Sequence, residues 1–296
     1  MKEENKQKKA YYYASVVVLL WATVASAFKI SLKHLNYIQL LFWASLASTT
    51  VLCGILLIQR KEGLLRALAK KDIFDSAGLG FLNPFLYYLV LFKAYSLLRA
   101  QEAQPLNQTW VIILSILSII ILKQRIRLVN IIAVCVSFLG VVIISTRGDF
   151  TRLSFTNLTG VILAIGSAII WAVYWIYNIK DRCDEVLKLF LNFLFGSLYS
   201  LVLVLITGGI YIPAWQGMIG AIYVGFCEMG ITFVLWLRAL RLSETTAKIS
   251  NLIYVVPFIS LIMIRIVVGE TILLSSVIGL IFIIAGILLQ QYERKR

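Results

Sequence analysis

The sequence predicts an all-α integral membrane fold: ten transmembrane helices, arranged as two inverted five-helix repeats around a central cavity. Three observations predict it. The 296 residues are 60% hydrophobic and 14% charged, with a mean hydropathy of +0.90. Ten apolar runs are separated by short polar gaps. The two halves of the chain also resemble each other, with five runs in each.

Composition excludes several classes. Soluble domains are about 45–50% apolar and about 25% charged, and this chain departs from both values toward the membrane. A disordered chain or a secreted disulfide scaffold fits no better. Cys53, Cys135, Cys183 and Cys227 are scattered, with no pair at metal-ligand spacing, and read as small core residues. The start, Met1–Lys9, is polar, but the run from Tyr11 continues into a full span without a small-residue cleavage site, so no removable signal peptide is expected.

A helix needs about 20 residues to cross the hydrocarbon core. The runs are 11–28, 37–58, 73–91, 103–122, 128–145, 158–179, 186–207, 217–237, 246–268 and 271–289. Lipid cannot satisfy an open sheet edge, so such runs must be helical. The net charge of +14 orients them. With the N-terminus inside, 21 of the 28 Lys and Arg residues fall in cytoplasmic segments and 7 fall elsewhere. Cytoplasmic loops carry the basic excess, so both termini are expected in the cytoplasm. The basic balance is thus mainly an orientation signal, and no nucleic-acid partner is expected.

LLWA at 19–22 matches IIWA at 169–172, and KQRI at 123–126 matches GETI at 269–272. At the latter offset Gly140 meets Gly286. These matches set the expected repeats at 1–146 and 147–296. Five spans per repeat is odd, so the second half enters the membrane from the opposite side, an arrangement common in secondary transporters.

LLWATVASAFKISLKHL, the polar helix start LLRAQEAQPLNQ and the ending KQRI return in the second half as IIWAVYW, then LRALRLSETTAKISNLIYVVPFISLIMIRIVVGETI and GLIFIIAGILL. This pattern resembles the EamA-type transporters of the drug/metabolite transporter superfamily, from about Tyr11 to Gln290. The resemblance implies ten inverted helices around a cavity and movement of small metabolites, commonly amino acids or related compounds, often outward. The first half departs from the family pattern, with Trp110-Val111 and Lys123-Gln124 where the second half has Pro257 and Gly269-Glu270.

Candidate functional residues are those that loops do not explain, because a charge at mid-bilayer usually faces a cavity or a partner. Glu228 sits mid-span in IYVGFCEMGITFVLW. It is a protonatable coupling group, an anchor for a cationic substrate group, or a structural carboxylate. Glu102, Asn107 and Gln108 form a polar start to the fourth span, followed by Trp110. Amides beside an aromatic suit a pocket for a small polar molecule; a wetted helix start is the plainer reading. In the ninth span Lys248, Asn251 and Tyr254 follow Glu244. Lys248 is the repeat mate of Glu102, and the two are read either as an ion pair or as chance. Lys29 and Lys93 either snorkel to the interface or attract a carboxylate-bearing substrate. Tyr88, Trp110 and Tyr254 are candidates for stacking on a substrate, whereas Trp21, Trp171, Trp175, Tyr174 and Tyr177 read first as packing. Asn83-Pro84 predicts a break in the third span, because proline removes a backbone bond. Asn157-Leu-Thr159 spells a glycosylation sequon and is read as chance.

The expected function is alternating-access transport of a small organic metabolite: an amino acid or related zwitterionic or cationic solute, with proton coupling at Glu228 and export as the direction. The alternative is a non-transporting membrane partner or a component of a lipid-carrier flippase. No enzyme is expected. His34 is the single histidine, no Walker pattern occurs, and neither metal nor cofactor is called for. The expected partners are the small-molecule substrate and the lipid bilayer, and the chain reads equally as monomer or homodimer. The expected location is the bacterial plasma (inner) membrane.

Overall fold

The computed structural model describes residues 2–121, 128–149, 157–179, 184–243 and 251–294. Every regular element among them is helical. In chain order these are α1 Lys2–Ser31, α2 Tyr37–Ile58, α3 Lys70–Gly80, α4 Tyr87–Leu97, α5 Ala100–Asn107, α6 Trp110–Ile121 and α7 Leu128–Ser145. They continue as α8 Leu158–Ile179, α9 Glu185–Thr207, α10 Trp215–Tyr223, α11 Thr232–Leu242, α12 Val256–Met263 and α13 Leu274–Arg294. Short 3₁₀ turns occupy Glu62–Ala67 and Asn251–Val255.

Six described helical stretches are long and apolar enough to cross a membrane: Lys6–Ser31, Tyr37–Ile58, Lys70–Leu97, Leu158–Tyr177, Glu185–Thr207 and Trp215–Ala239. Shorter apolar helices cover Ile131–Ser145, Val256–Val268 and Leu274–Leu289. The chain is therefore a multi-pass integral membrane protein. Three stretches are wound more widely, as π-helix: Phe81–Leu86, Val224–Ile231 and Ile264–Val268. The third predicted span is interrupted inside the first of these. Asn83 leaves the helical region there (φ −149°, ψ 122°), and Pro84 supplies no N–H.

Helix ends are set by local chemistry. Asn36 caps α2, its Oδ1 accepting from the N–H groups of Ile38 and Gln39 at 3.0 and 2.8 Å. Asn157, the sequon asparagine, accepts from Gly160 N–H at 2.8 Å and so starts α8. Gly208 ends α9 at φ +138°, where a side chain would be strained.

The chain divides into two compact units, each drawing helices from both sequence halves: residues 1–85 with 182–268, and residues 86–181 with 269–296. In the first unit α9 lies against α2 and α3, and α1 packs on α10, α11 and α12. Small residues let the backbones approach. A Cβ on Gly80 would lie 2.4 Å from the Asn192 carbonyl oxygen, and one on Gly225 would lie 2.3 Å from that of Ala44. Trp21 meets Trp236 at 5.5 Å, and Thr49 and Ser197 share a buried hydroxyl hydrogen bond of 2.8 Å.

At the predicted cytoplasmic end of this unit, Asp184 caps α9 through Val186 and Leu187 N–H and accepts from Lys61 Nζ at 2.6 Å. Burial alone would raise the Asp184 carboxyl. The Lys61 ammonium and the capping N–H groups outweigh burial and hold it below its ordinary value. A depressed carboxyl contributes stability above its unfolded value, and that contribution is lost as pH falls through the folded one. Asp184→Ala is expected to cost about 1 kcal/mol at neutral pH. In thermal melts the gap to the parent should close below about pH 4.

In the second unit α7 runs along α13. The repeat glycines serve this contact. A Cβ on Gly140 would lie 2.5 Å from the Gly279 carbonyl oxygen, and one on Gly286 would lie 2.6 Å from that of Ala133. α8 packs on α4, α5 and α6, which sets up the site below.

Candidate functional site

Four helices of the second unit, α4, α5, α6 and α8, bring a polar, aromatic cluster together. Ser167, Trp171 and Tyr174 follow the i, i+4, i+7 spacing of one α8 face, and Tyr87 and Tyr88 open α4. Asn107 closes α5, where the fourth predicted span breaks before α6 begins at Trp110. The Asn107 amide bridges two helices. Its Oδ1 accepts from Tyr87 Oη at 3.3 Å, and its Nδ2 donates to Ser167 Oγ at 2.9 Å. Trp171 is the aromatic hub, with ring centroids 4.5 Å from Tyr87, 6.4 Å from Trp110, 6.0 Å from Tyr174 and 5.8 Å from Trp175. Tyr88 is fully buried and stacks at 5.3 Å on Phe92. Gln108 is buried, and its Nε2 has no hydrogen-bond partner among the described residues. The cluster offers an amide, phenol and hydroxyl groups beside electron-rich rings. The Tyr87 and Ser167 hydroxyls already donate to Asn107 Oδ1 and to the Ala164 carbonyl, which leaves the second N–H of Asn107 for a carboxylate and the ring faces for an ammonium.

The sequence singled out Asn107, Gln108, Trp110 and Tyr88, and the structure groups Asn107 and Trp110 around Trp171. Tyr87, Ser167 and the hub role of Trp171 were missed. The i, i+4 spacing of Ser167 and Trp171 was the available signal, but a tryptophan next to a repeat start reads equally as packing.

Glu102 has a different role. Its carboxylate is 1% exposed and accepts from Arg147 Nε at 2.8 Å and from Arg99 N–H at 3.4 Å. Nearby, Glu270 caps the start of α5, accepting from the N–H groups of Ala100 and Gln101 at 2.9 and 3.3 Å. Gln101 ties the same turn down, donating to Thr271 O and accepting from Leu273 N–H, both at 2.8 Å. These are negative groups at a helix N-terminus, where the helix dipole favours them. Lys248, read as either an ion-pair partner of Glu102 or a chance match, lies outside the described residues, as does Glu244. Asn251 and Tyr254 lie on the backbone of the second 3₁₀ turn.

In the first unit Glu228 is buried at the centre of the Val224–Ile231 π-helix. The Thr232 hydroxyl there donates to the Cys227 carbonyl. Single-turn π segments interrupt the regular backbone ladder and recur at functional sites. Lys29 and Lys93 are half-buried, on α1 and α4. His34 is exposed. Among the described residues no group of three His, Cys, Asp or Glu comes together to hold a metal.

Fold and cluster thus define a multi-pass helical membrane protein with a polar, aromatic site in one unit. The model of the EamA-like transporter family matches residues 8–146 and 158–290, and the chain belongs to that family. A transporter of Archaeoglobus fulgidus, described as uncharacterised, is 24% identical, over 95% of this chain and 96% of its own length. One from Clostridium kluyveri is 26% identical over 60% of this chain, a match that spans 58% of that relative. The transporter YvbV of Bacillus subtilis, also described as uncharacterised, is 23% identical over 62% of this chain and 60% of its own length. A solved crystal structure shares the fold, with a TM-score of 0.68, 19% identity and 98% coverage of both chains. A membrane transporter is what the family and these relatives support, and the bacterial relatives fit a plasma-membrane location.

Proposed function

We propose that the chain is an alternating-access secondary transporter that exports a small amino acid or a related zwitterionic or cationic solute. Ten spans would form two inverted repeats, 1–146 and 147–296, around a central cavity. The two segments matched by the family model, 8–146 and 158–290, support this division. The observation that carries the substrate class is the Asn107 amide, held between Tyr87 and Ser167 beside the Trp171 hub. The second N–H of the Asn107 amide suits a carboxylate, and the rings suit an ammonium. Glu228, buried within a π segment, is the coupling carboxylate in this reading.

The test is counterflow of a labelled amino-acid pool in liposomes containing the purified chain, with and without a pH gradient. Asn107→Ala is expected to raise the half-saturating concentration about tenfold, the worth of one charge-assisted hydrogen bond. Glu228→Gln is expected to leave folding and counterflow intact but to abolish the pH-driven component. Undiminished pH-driven flux in Glu228→Gln would remove the coupling role.

A further inference from the structure

We propose that Asn83 is a second solute-binding group, set in the break of the third apolar helix and closed over in this structure. The proposal rests on the transporter reading above. It concerns a residue that the Tyr87, Asn107 and Trp171 cluster does not include.

Four observations carry it. Asn83 has left the helical region, and its neighbour Pro84 has no N–H to donate. Non-helical backbone at membrane depth is tolerated where it is buried in protein or lines a wet cavity, and broken helices of transporters hold binding groups. Asn83 is fully buried, and among the described residues neither its Nδ2 nor its Oδ1 has a hydrogen-bond partner. Seven residues earlier, Ser76 on α3 is also fully buried, with its Oγ likewise unpartnered among those residues. Finally, the break is held by close backbone packing that needs no amide. A Cβ on Gly196 of α9 would lie 2.4 Å from Pro84 Cγ, and Gly80 sits against the Asn192 backbone.

A buried amide with both ends unmade bears the full desolvation penalty of the group, whereas an apolar residue of the same shape bears none. Packing alone would therefore favour leucine at position 83. The amide is explained if a partner arrives in another conformation. Its geometry narrows that partner's chemistry, because one acceptor oxygen and one NH₂ donor stand side by side on a planar group. They match an ammonium and a carboxylate carried on one carbon, the head of an α-amino acid. A solute with only one of these groups would leave half of Asn83 unmade.

Three readouts on the full-length protein in liposomes test this. The first is the thermal melt of Asn83→Leu, which is expected at or above that of the parent. A clear drop would make the amide structural and overturn the proposal. The second uses Asn83→Cys in a background with Cys53, Cys135, Cys183 and Cys227 replaced by serine. A membrane-impermeant trimethylammonium thiosulfonate is expected to modify position 83, although it is fully buried here. No modification, while His34→Cys reacts on its exposed turn, would overturn it. The third is counterflow of the amino-acid pool, in which Asn83→Leu is expected to raise the half-saturating concentration about tenfold; unchanged kinetics would overturn the role. If the parent moves no amino acid, the substrate class proposed above fails, and the melt and the thiol labelling still decide whether position 83 lies on a solute path.

Discussion

Arg147→Ala is expected to destabilise the protein by about 3 kcal/mol, because it leaves the Glu102 carboxylate buried without its cation. Glu102 is 1% exposed and Arg147 38% exposed. The cost should thus fall at the low end for a broken buried pair, since water can reach the vacated side. The variant Glu102→Gln in the Arg147→Ala background should recover most of the loss. It removes the charge while keeping an oxygen for the Arg99 N–H, the second donor to this carboxylate. Glu102→Gln alone should cost less than Arg147→Ala alone, since an exposed arginine finds water and a buried carboxylate does not. Thermal melts of the four proteins form the cycle that measures the pair. Equal losses from both single variants, with no recovery in the double, would show that Glu102 is not held by Arg147.

Trp171→Ala should produce the largest combined effect. Trp171 is 6% exposed and touches four aromatic rings. Truncating a buried tryptophan costs about 3–5 kcal/mol, so this variant tests packing more than binding. Two further variants separate the roles. Trp171→Phe keeps a ring face, whereas Trp171→Leu keeps apolar bulk without one. If the ring holds a cationic group, Phe should retain most of the flux and Leu should lose about tenfold, within the cation–π range. Both should fold. Equal flux in Phe and Leu, measured by counterflow at matched protein content, would reduce Trp171 to a packing residue.

The long elements were legible because membrane helices announce themselves by composition. The expected runs 37–58, 128–145 and 158–179 coincide with α2, α7 and α8. Each is bounded by asparagine, serine or charge, and the hydroxyls inside them, such as Thr49 and Thr50, bond back to carbonyls of their own helix rather than break it. α1 begins at Lys2 rather than Tyr11 because KEENKQKK is a good helix former that hydropathy does not register. The third span starts at Lys70, where Asp72 accepts from the Ala69 N–H at 2.9 Å, a capping signal hidden among lysines. The breaks at Asn83 and Gln108 differ in legibility. Proline marked the first, but Pro105 lies within α5 without ending it, and the second break falls three residues later.

Side-chain partnerships were the least legible. Apolar helices carry no address for one another, so α8 meeting α4 and α5 cannot be read from either sequence. Arg147 is 45 residues from Glu102, and Glu270 is 170 from Ala100. The small residues that set helix spacing were visible, and Gly140 and Gly286 do lie on the α7–α13 contact. The amides of Asn107 and Asn83 were visible too, as polar groups out of place. Whether each is satisfied depends on neighbours distant in the chain. Ser167 completes the first from 60 residues away, and no described residue completes the second.

This single chain is expected to move a small zwitterionic or cationic solute by itself. Counterflow with the purified protein alone in liposomes tests it most directly, using trapped unlabelled amino acids and a labelled pool outside. Saturable label accumulation that depends on the trapped solute, and that falls in Asn107→Ala, is the expected result. Accumulation no greater than in protein-free liposomes, from protein shown to be folded by its melt, would contradict it.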